Sequence, residues 1–386
     1  MKWSDEAAPA PPPDAAIELA LQIVARGPDD PQLLRRLGLL LSGQKLFAAA
    51  RDALAKAARI EPETFDAWPA LALCHIELDA PELALAVCEQ GAAYGDGPAL
   101  LHYRGVALKD LGRPDEAKAA LLDCLDRPGL HLNALKELLR LVSRREDGEA
   151  LLALVRSLPE RYHNTVPERA YRAIALSRTG QVAKAMRLYD LDRFPMYFDM
   201  DPPPAFGGID AFNARLADDL LGRQRQQDGR RPGFSIRYTL DFRASPALQA
   251  LESFLRASVD HYVARLPALG LDTILPPLPK AGRLSGAGVI LTGQGRNTEH
   301  VHVGGYLSLV YHVQVPEEVR AASDNRGALA LGCCSESMID EDPCWRVRFI
   351  KPVPGRLTIF PSHIFHDTIP TGCDEARISV AADLLA

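Results

Sequence analysis

His300-Val301-His302, Pro361-Ser362-His363-Ile364-Phe365-His366 and Arg377-Ile378-Ser379 lie on the stretch that decides how this chain folds. In an extended strand, side chains two apart point to the same face. His300 and His302 can therefore converge on one metal ion. A third imidazole from a distant strand completes a three-sided ligand set with the opposite side open. That geometry suits a non-haem Fe(II) centre that must also hold a co-substrate and dioxygen. His363 and His366 compete for the third place. From His366 to Arg377 the chain has room to turn and run back as the next strand. The Arg377 guanidinium can then anchor the far carboxylate of a dicarboxylic acid by a bidentate, charge-assisted pair. Ser379, on the same strand face, can add a hydroxyl.

At these residues the chain resembles the iron- and 2-oxoglutarate-dependent oxygenases. The likeness is greatest to a bacterial group, related to prolyl hydroxylases, in which the oxygenase follows tetratricopeptide-type repeats. It is carried by His300-Val301-His302-Val303-Gly304-Gly305-Tyr306-Leu307-Ser308-Leu309-Val310-Tyr311, by Gly355-Arg356-Leu357-Thr358-Ile359-Phe360-Pro361-Ser362 with His366, and by Arg377-x-Ser379. It extends from roughly residue 195 to the end of the chain. The resemblance implies a double-stranded β-helix, or jelly roll, with supporting helices. It implies Fe(II) on His300, His302 and His366, and 2-oxoglutarate held by Arg377, Ser379 and Tyr311. The reaction implied is hydroxylation with decarboxylation of 2-oxoglutarate to succinate. In the resembled group the distal ligand follows the Pro-Ser pair by several residues, which favours His366 and leaves His363 beside the site.

One departure stands out. The commoner pattern is His-x-Asp or His-x-Glu, and here His302 occupies the carboxylate position. Either the site has three imidazoles and a more positive iron, or His302 stays off the metal, as a resemblance to aspartyl β-hydroxylases would allow. Glu299 falls on the opposite strand face. His312 opposes Tyr311 in direction and is expected to face outward or pack against a helix.

Around this stretch, the pattern beyond Leu284 is alternating and β-branched with Gly and Pro turns. It predicts strands near 286–293, 298–303, 306–314, 327–333, 346–351, 356–360, 365–369 and 376–383. Eight short strands suit a jelly roll. Residues 316–326 and 335–344 read as loops over its mouth, where substrate selectivity would reside. Upstream, apolar residues at helical spacing predict amphipathic helices over 209–222 and from Pro246 to Leu266. Asp201-Pro202-Pro203-Pro204 and Gly207-Gly208 break helical continuation and mark a domain junction near 192.

Before that junction the chain repeats. Units starting at 31, 65, 98, 132 and 166 are 33 or 34 residues apart, the tetratricopeptide length. The eighth position of each unit reads Gly38, Ala72, Gly105, Leu139 and Ala173; the twentieth reads Ala50, Ala84, Ala117, Leu151 and Ala185. These positions face each other across a helical hairpin, where small side chains let the backbones approach. The fourth unit, with leucine at both, is the weakest. The fold class expected is α + β in two domains: a lead without structure over 1–13, a helical repeat solenoid over 14–192, and the oxygenase jelly roll over 193–386.

Composition narrows the partners. A net charge of −6 disfavours an electrostatic nucleic-acid or membrane partner. With no run of 18 apolar residues and no apolar signal core, a cytoplasmic protein is expected. The 7 cysteines lack Cys-x-x-Cys spacing, so reduced thiols are the default rather than zinc or a disulfide framework. Three functional readings follow. The first is a hydroxylase of a peptide or protein side chain presented by the solenoid. The second is the same oxygenase acting on a small-molecule or cell-envelope substrate. The third is a non-catalytic adaptor with a degenerate barrel.

Overall fold

The computed structural model describes residues 2–3, 14–27, 29–63, 66–227, 235–272, 274–276, 279, 281–335, 337 and 342–385. The chain divides into two compact units. One is Pro12–Arg145; the other is Glu146–Ala386, to which the N-terminal strand β1 (Lys2–Trp3) belongs.

The first unit consists of α1 (Asp14–Ala25), α2 (Pro31–Gly43), α3 (Phe47–Ile60), α4 (Ala67–Glu77), α5 (Pro81–Ala92), α6 (Pro98–Asp110), α7 (Pro114–Asp126) and α8 (Leu132–Arg145). A lone helix, α1, precedes the hairpins. Proline occupies the first turn of α2, α5, α6 and α7, where its missing N–H has no intrahelical acceptor to lose. The small positions are forced by geometry. A Cβ on Gly38 would lie 2.5 Å from Leu54 Cγ and 3.3 Å from the Ala50 carbonyl oxygen. One on Gly105 would lie 2.6 Å from Leu121 Cγ and 3.4 Å from the Ala117 carbonyl oxygen. The eighth and twentieth positions thus meet in both hairpins. Leu41, Leu54, Trp68 and Leu71 fill the space around them, each contributing about 1.5–3 kcal/mol by leaving water. This is a helical repeat array of tetratricopeptide type.

The second unit opens with three more helices, α9 (Gly148–Ser157), α10 (Val166–Arg178) and α11 (Val182–Leu188). There follow β2 (Met196–Asp199), α12 (Ile209–Gln227), β3 (Ser235–Thr239), α13 (Pro246–Arg265), β4 (Ala281–Leu291), β5 (Gly305–Gln314), α14 (Glu317–Ala321), β6 (Leu329–Leu331), β7 (Arg348–Ile350), β8 (Arg356–Pro361), β9 (His366–Thr368) and β10 (Arg377–Leu385). A large sheet runs β1-β4-β10-β5-β8-β2, with β3 also on β4, and a small sheet runs β7-β6-β9. All pairings are antiparallel except β1 with β4. Both amphipathic helices form where periodicity put them. Tyr311 of β5 touches α13 through Phe254 and α12 through Asn213.

Four expectations need amendment. The strand expected over 298–303 shrinks to an isolated bridge between His300 and His366, because the backbone turns at Val303 and Gly304. The loop expected over 316–326 contains the short helix α14. Of the structureless lead over 1–13, Lys2 and Trp3 pair with Ala281 and Gly282, and the Trp3 indole donates to Asp260 at 3.1 Å; residues 4–13 lie outside the described residues. Finally, the division between units falls at 145/146 rather than near 192. The hairpin α10–α11 shares a core with the sheets. Tyr171 packs edge-on to Phe365, with ring centroids 5.5 Å apart. The Tyr189 hydroxyl donates to the His363 carbonyl at 2.8 Å and accepts from the Phe365 N–H at 3.0 Å.

Candidate metal centre and co-substrate cavity

His300 and His366 are held opposite each other by reciprocal backbone hydrogen bonds of 3.1 Å, and the His302 N–H donates to the Ser362 carbonyl at 3.3 Å. These bonds fasten the turn carrying the two nearby histidines to the segment carrying the distant one. The three imidazoles come together. His302 Nε2 lies 3.0 Å from His300 Nε2 and 3.2 Å from His366 Nε2.

The outward nitrogens decide what the inward ones can be. His300 Nδ1 faces the Thr298 carbonyl at 2.6 Å, His366 Nδ1 faces the Ile364 carbonyl at 3.0 Å, and His302 Nδ1 faces Asp383 Oδ2 at 2.5 Å. Carbonyl and ionised carboxylate oxygens only accept, so each Nδ1 carries the proton. In the neutral form that a metal requires, each Nε2 would then present a lone pair. Three lone pairs crowded at about 3 Å repel one another unless a cation lies between them. Separations of 3.0 and 3.2 Å match adjacent nitrogens of a facial set bound to one ion at about 2.1 Å. Burial, then the neighbouring His302, pushes His300 down to about 4, and burial with the two neighbouring rings holds His366 well below its usual range. Both rings are thereby kept in the neutral form a metal requires.

The cavity beside the trio lies between the two sheets. Ser308, Val310, Arg377 and Ser379 line it from the large sheet, and Leu329, His366 and Thr368 from the small one. Arg377 is 2% exposed. Burial pushes its guanidinium down to about 10, its Nε has no partner, and Nη2 reaches only His312 Nδ1, at 3.5 Å. Among the described residues no carboxylate pairs with it. A buried cation without a counter-charge calls for an anion in the adjoining cavity. Ser379, also buried, lines that cavity two residues along the strand.

Tyr311 is not there. Its hydroxyl donates to Asn213 Oδ1 of α12 at 2.7 Å. The register explains this. Ser379 pairs with His312 and Val380 with Tyr311, so the face shared with Arg377 and Ser379 takes Ser308, Val310 and His312 from β5. His312, expected to point outward, points inward for the same reason. His363 lies outside the trio: its Nε2 contacts the Leu188 carbonyl at 2.9 Å, bolting α11 to the turn before His366. Glu299 accepts from the Ser337 hydroxyl at 2.9 Å, away from the imidazoles.

Sequence reasoning missed Asp383, which holds His302, and Ser308, which donates to Asp383 Oδ1 at 3.0 Å. Asp383 could have been found by extending the alternation that picked Arg377 and Ser379, since it is the lone acid of that strand and falls on the same face; Ser308 is placed only by the pairing of β5 with β10. Arg237 of β3, opposite Val289, also lines the cavity.

Residues 288–383 match the family described as "Putative 2OG-Fe(II) oxygenase". No curated relative matches the chain significantly. Among solved structures, a Pseudomonas putida prolyl-4-hydroxylase is similar to it at 15% identity and a TM-score of 0.34, covering 51% of this chain and 95% of that one. A thermophilic TPR protein of Thermus thermophilus is similar at 21% identity and a TM-score of 0.35, covering 42% and 90%. YrrB, a TPR protein with an unusual peptide-binding site, is similar at 14% identity and a TM-score of 0.35, covering 45% and 90%. The segment from 288 to 383, which holds all three imidazoles together with Arg377, Ser379 and Asp383, carries the match to the 2-oxoglutarate- and Fe(II)-dependent oxygenase family, and helical repeats of tetratricopeptide type precede it.

Proposed function

We propose that the second unit is an Fe(II)- and 2-oxoglutarate-dependent hydroxylase whose substrate is a peptide or protein side chain presented by the helical repeats. The single observation that carries this reading is one cavity bordered by two opposite electrostatic demands. Three inward lone pairs require a cation, and the buried Arg377 requires an anion. A metal ion chelated by a dicarboxylate answers both.

In this reading the two sheets are the walls of a double-stranded β-helix. His300, His302 and His366 hold the iron, and Asp383 fixes the His302 ring and its tautomer. Arg377 takes the far carboxylate of 2-oxoglutarate, with the Ser379 hydroxyl beside it. Bound iron supplies the activation of dioxygen that side chains cannot perform. The protein's own work would be to orient the co-substrate and to exclude water through the apolar walls Val289, Val310 and Leu329. The net change is 2-oxoglutarate, dioxygen and a substrate C–H giving succinate, carbon dioxide and an alcohol. No described helix is long and apolar enough to cross a membrane; a cytoplasmic setting is part of the proposal.

The adaptor reading leaves the facing lone pairs and the unpaired Arg377 without a purpose. The deciding experiment is anaerobic reconstitution with Fe(II), followed by succinate measurement with 2-oxoglutarate and air, alone and with peptide libraries or cell extract. Slow succinate formation without substrate, accelerated by a library fraction, is expected. Protein that neither binds Fe(II) nor forms succinate would sink the reading; acceleration only by small molecules would replace the peptide substrate with the second class.

A further inference from the structure

A second cavity, of 390 Å³, lies away from the imidazoles, among α9, α10, α11 and the segment at Ile274. Arg156, Arg169, Arg172, Lys184 and Arg187 line it, and no Asp or Glu does among the described residues. Arg169 is 3% exposed. Its Nη2 donates to the Ile274 carbonyl and its Nη1 reaches Asn164 Oδ1 at 3.4 Å, while Nε has no partner. Burial, then repulsion from Arg172, pushes its guanidinium down to about 10. The nearest acid, Glu168, is already engaged by Arg172 at 3.1 Å and by the Asn164 N–H at 3.0 Å. Of these cations, Glu168 thus answers Arg172 and Arg169 only, and it does not itself line the cavity. Between the cations the walls are apolar, formed by Leu152, Val155, Leu176 and Leu188.

We infer that this cavity binds an acidic peptide segment whose carboxylates alternate with apolar side chains. The buried cation shares its one attracting carboxylate, Glu168, with Arg172 and keeps an unpartnered Nε, so the cluster is left with an excess of positive charge that an anion from outside can answer. The cations come from three helices, which spreads the positive field over more than one anionic group, and the leucine and valine walls offer nothing to a bare phosphate. Guanidinium groups favour the planar carboxylate. The inference gives a place and a chemistry to the peptide-presenting role proposed above. Its test reads binding directly, so its failure would leave the iron site and its reaction untouched.

The test is fluorescence anisotropy on the full chain with a short labelled peptide alternating glutamate and leucine. Binding that weakens with salt is expected. The double variant Lys184→Glu, Arg187→Glu changes two exposed side chains and should lower affinity by about tenfold or more. Arg59→Glu, on α3 of the first unit, should change it by less than about twofold. Equal affinities for the double variant and Arg59→Glu would overturn the assignment. So would tighter binding by inorganic phosphate than by the peptide, or equal affinity for a peptide with serine in place of leucine.

Discussion

Asp383→Asn isolates the feature in which this site departs most from the commoner two-His, one-carboxylate pattern. The carboxylate missing from position 302 is not absent; it stands one residue further out. Asp383 Oδ2 accepts from His302 Nδ1 at 2.5 Å, and Oδ1 accepts from the Ser308 hydroxyl at 3.0 Å. Asparagine keeps the shape and can still accept one hydrogen bond, but it loses the charge. A charge-assisted hydrogen bond is roughly twice as strong as a neutral one, so the change removes about 1–2 kcal/mol from the metal-bound state. That corresponds to about a 5–30-fold loss of metal affinity, overlapping the range of about 10–100-fold for groups that orient a ligating histidine. Asp383→Ala should cost more, because it also strands the Ser308 hydroxyl. The assay is competitive titration with Fe(II), or with Co(II) followed by its visible absorption, alongside His366→Ala as the complete-loss reference. If Asp383→Asn binds metal as tightly as the parent while His366→Ala does not bind, the outer carboxylate contributes nothing and His302 is not a ligand.

Three further outcomes are expected. Arg377→Met should weaken 2-oxoglutarate binding by about two to four decades, from a broken buried pair costing about 3–5 kcal/mol, with Fe(II) affinity unchanged by calorimetry. The ligand-free variant should melt no lower than the parent, since it deletes a buried cation that has no counter-ion there. Tyr311→Phe should cost about 1–2 kcal/mol in denaturant unfolding by freeing Asn213 Oδ1, and should leave the KM for 2-oxoglutarate alone, whereas a co-substrate role would raise it. In the first unit, burial alone would raise the Glu137 carboxyl, but Lys109, Lys136 and Arg140 outweigh it and hold it at about 2. Its folded value is depressed, so its contribution, about 3 kcal/mol at most, is present above pH 5 and is lost as pH falls toward 2. Glu137→Gln should flatten that part of the acid unfolding profile.

How far the sequence could be read depended on whether local periodicity or long-range pairing fixed each feature. The helical hairpins were readable because small residues recur at fixed offsets, and Gly38 against Leu54 shows the steric reason. Arg377 and Ser379 were readable because one strand's alternation puts both on a single face. Tyr311 was misjudged because β5 is covered on both sides. Leu307, Leu309, Tyr311 and Val313 are buried, and so are Ser308 and His312. Such a strand has no solvent-exposed face, so its polar residues do not mark the side turned away from the core. Only the register with β10, irregular between Ile378 and Ser379, fixes which residues look inward. The expected boundary near 192 and the division at 145/146 differ for a related reason. A repeat period reports that α10 and α11 are a hairpin of the same kind, not which core their outer face joins.

The placement of that boundary bears on function. The chain divides at 145/146, in the fourth repeat, which has Leu139 and Leu151 where the others have small residues. The hairpin after it is built into the second unit through Tyr171, Tyr189 and the contact of His363 with the Leu188 carbonyl. His363 and Phe365 flank the turn that delivers His366 to the trio. The α11 helix therefore has two ends of one job. Its C-terminal residues steady the segment bearing a metal ligand, while Lys184 and Arg187 border the cationic cavity. A peptide bound there would press on the same short helix that braces the imidazole trio. On this geometry, occupancy of the cationic cavity should slow hydrogen exchange at the amides of 363–366, even with the metal site empty. Protection confined to α10 and α11 would separate the two sites and reduce the cavity to an anchor.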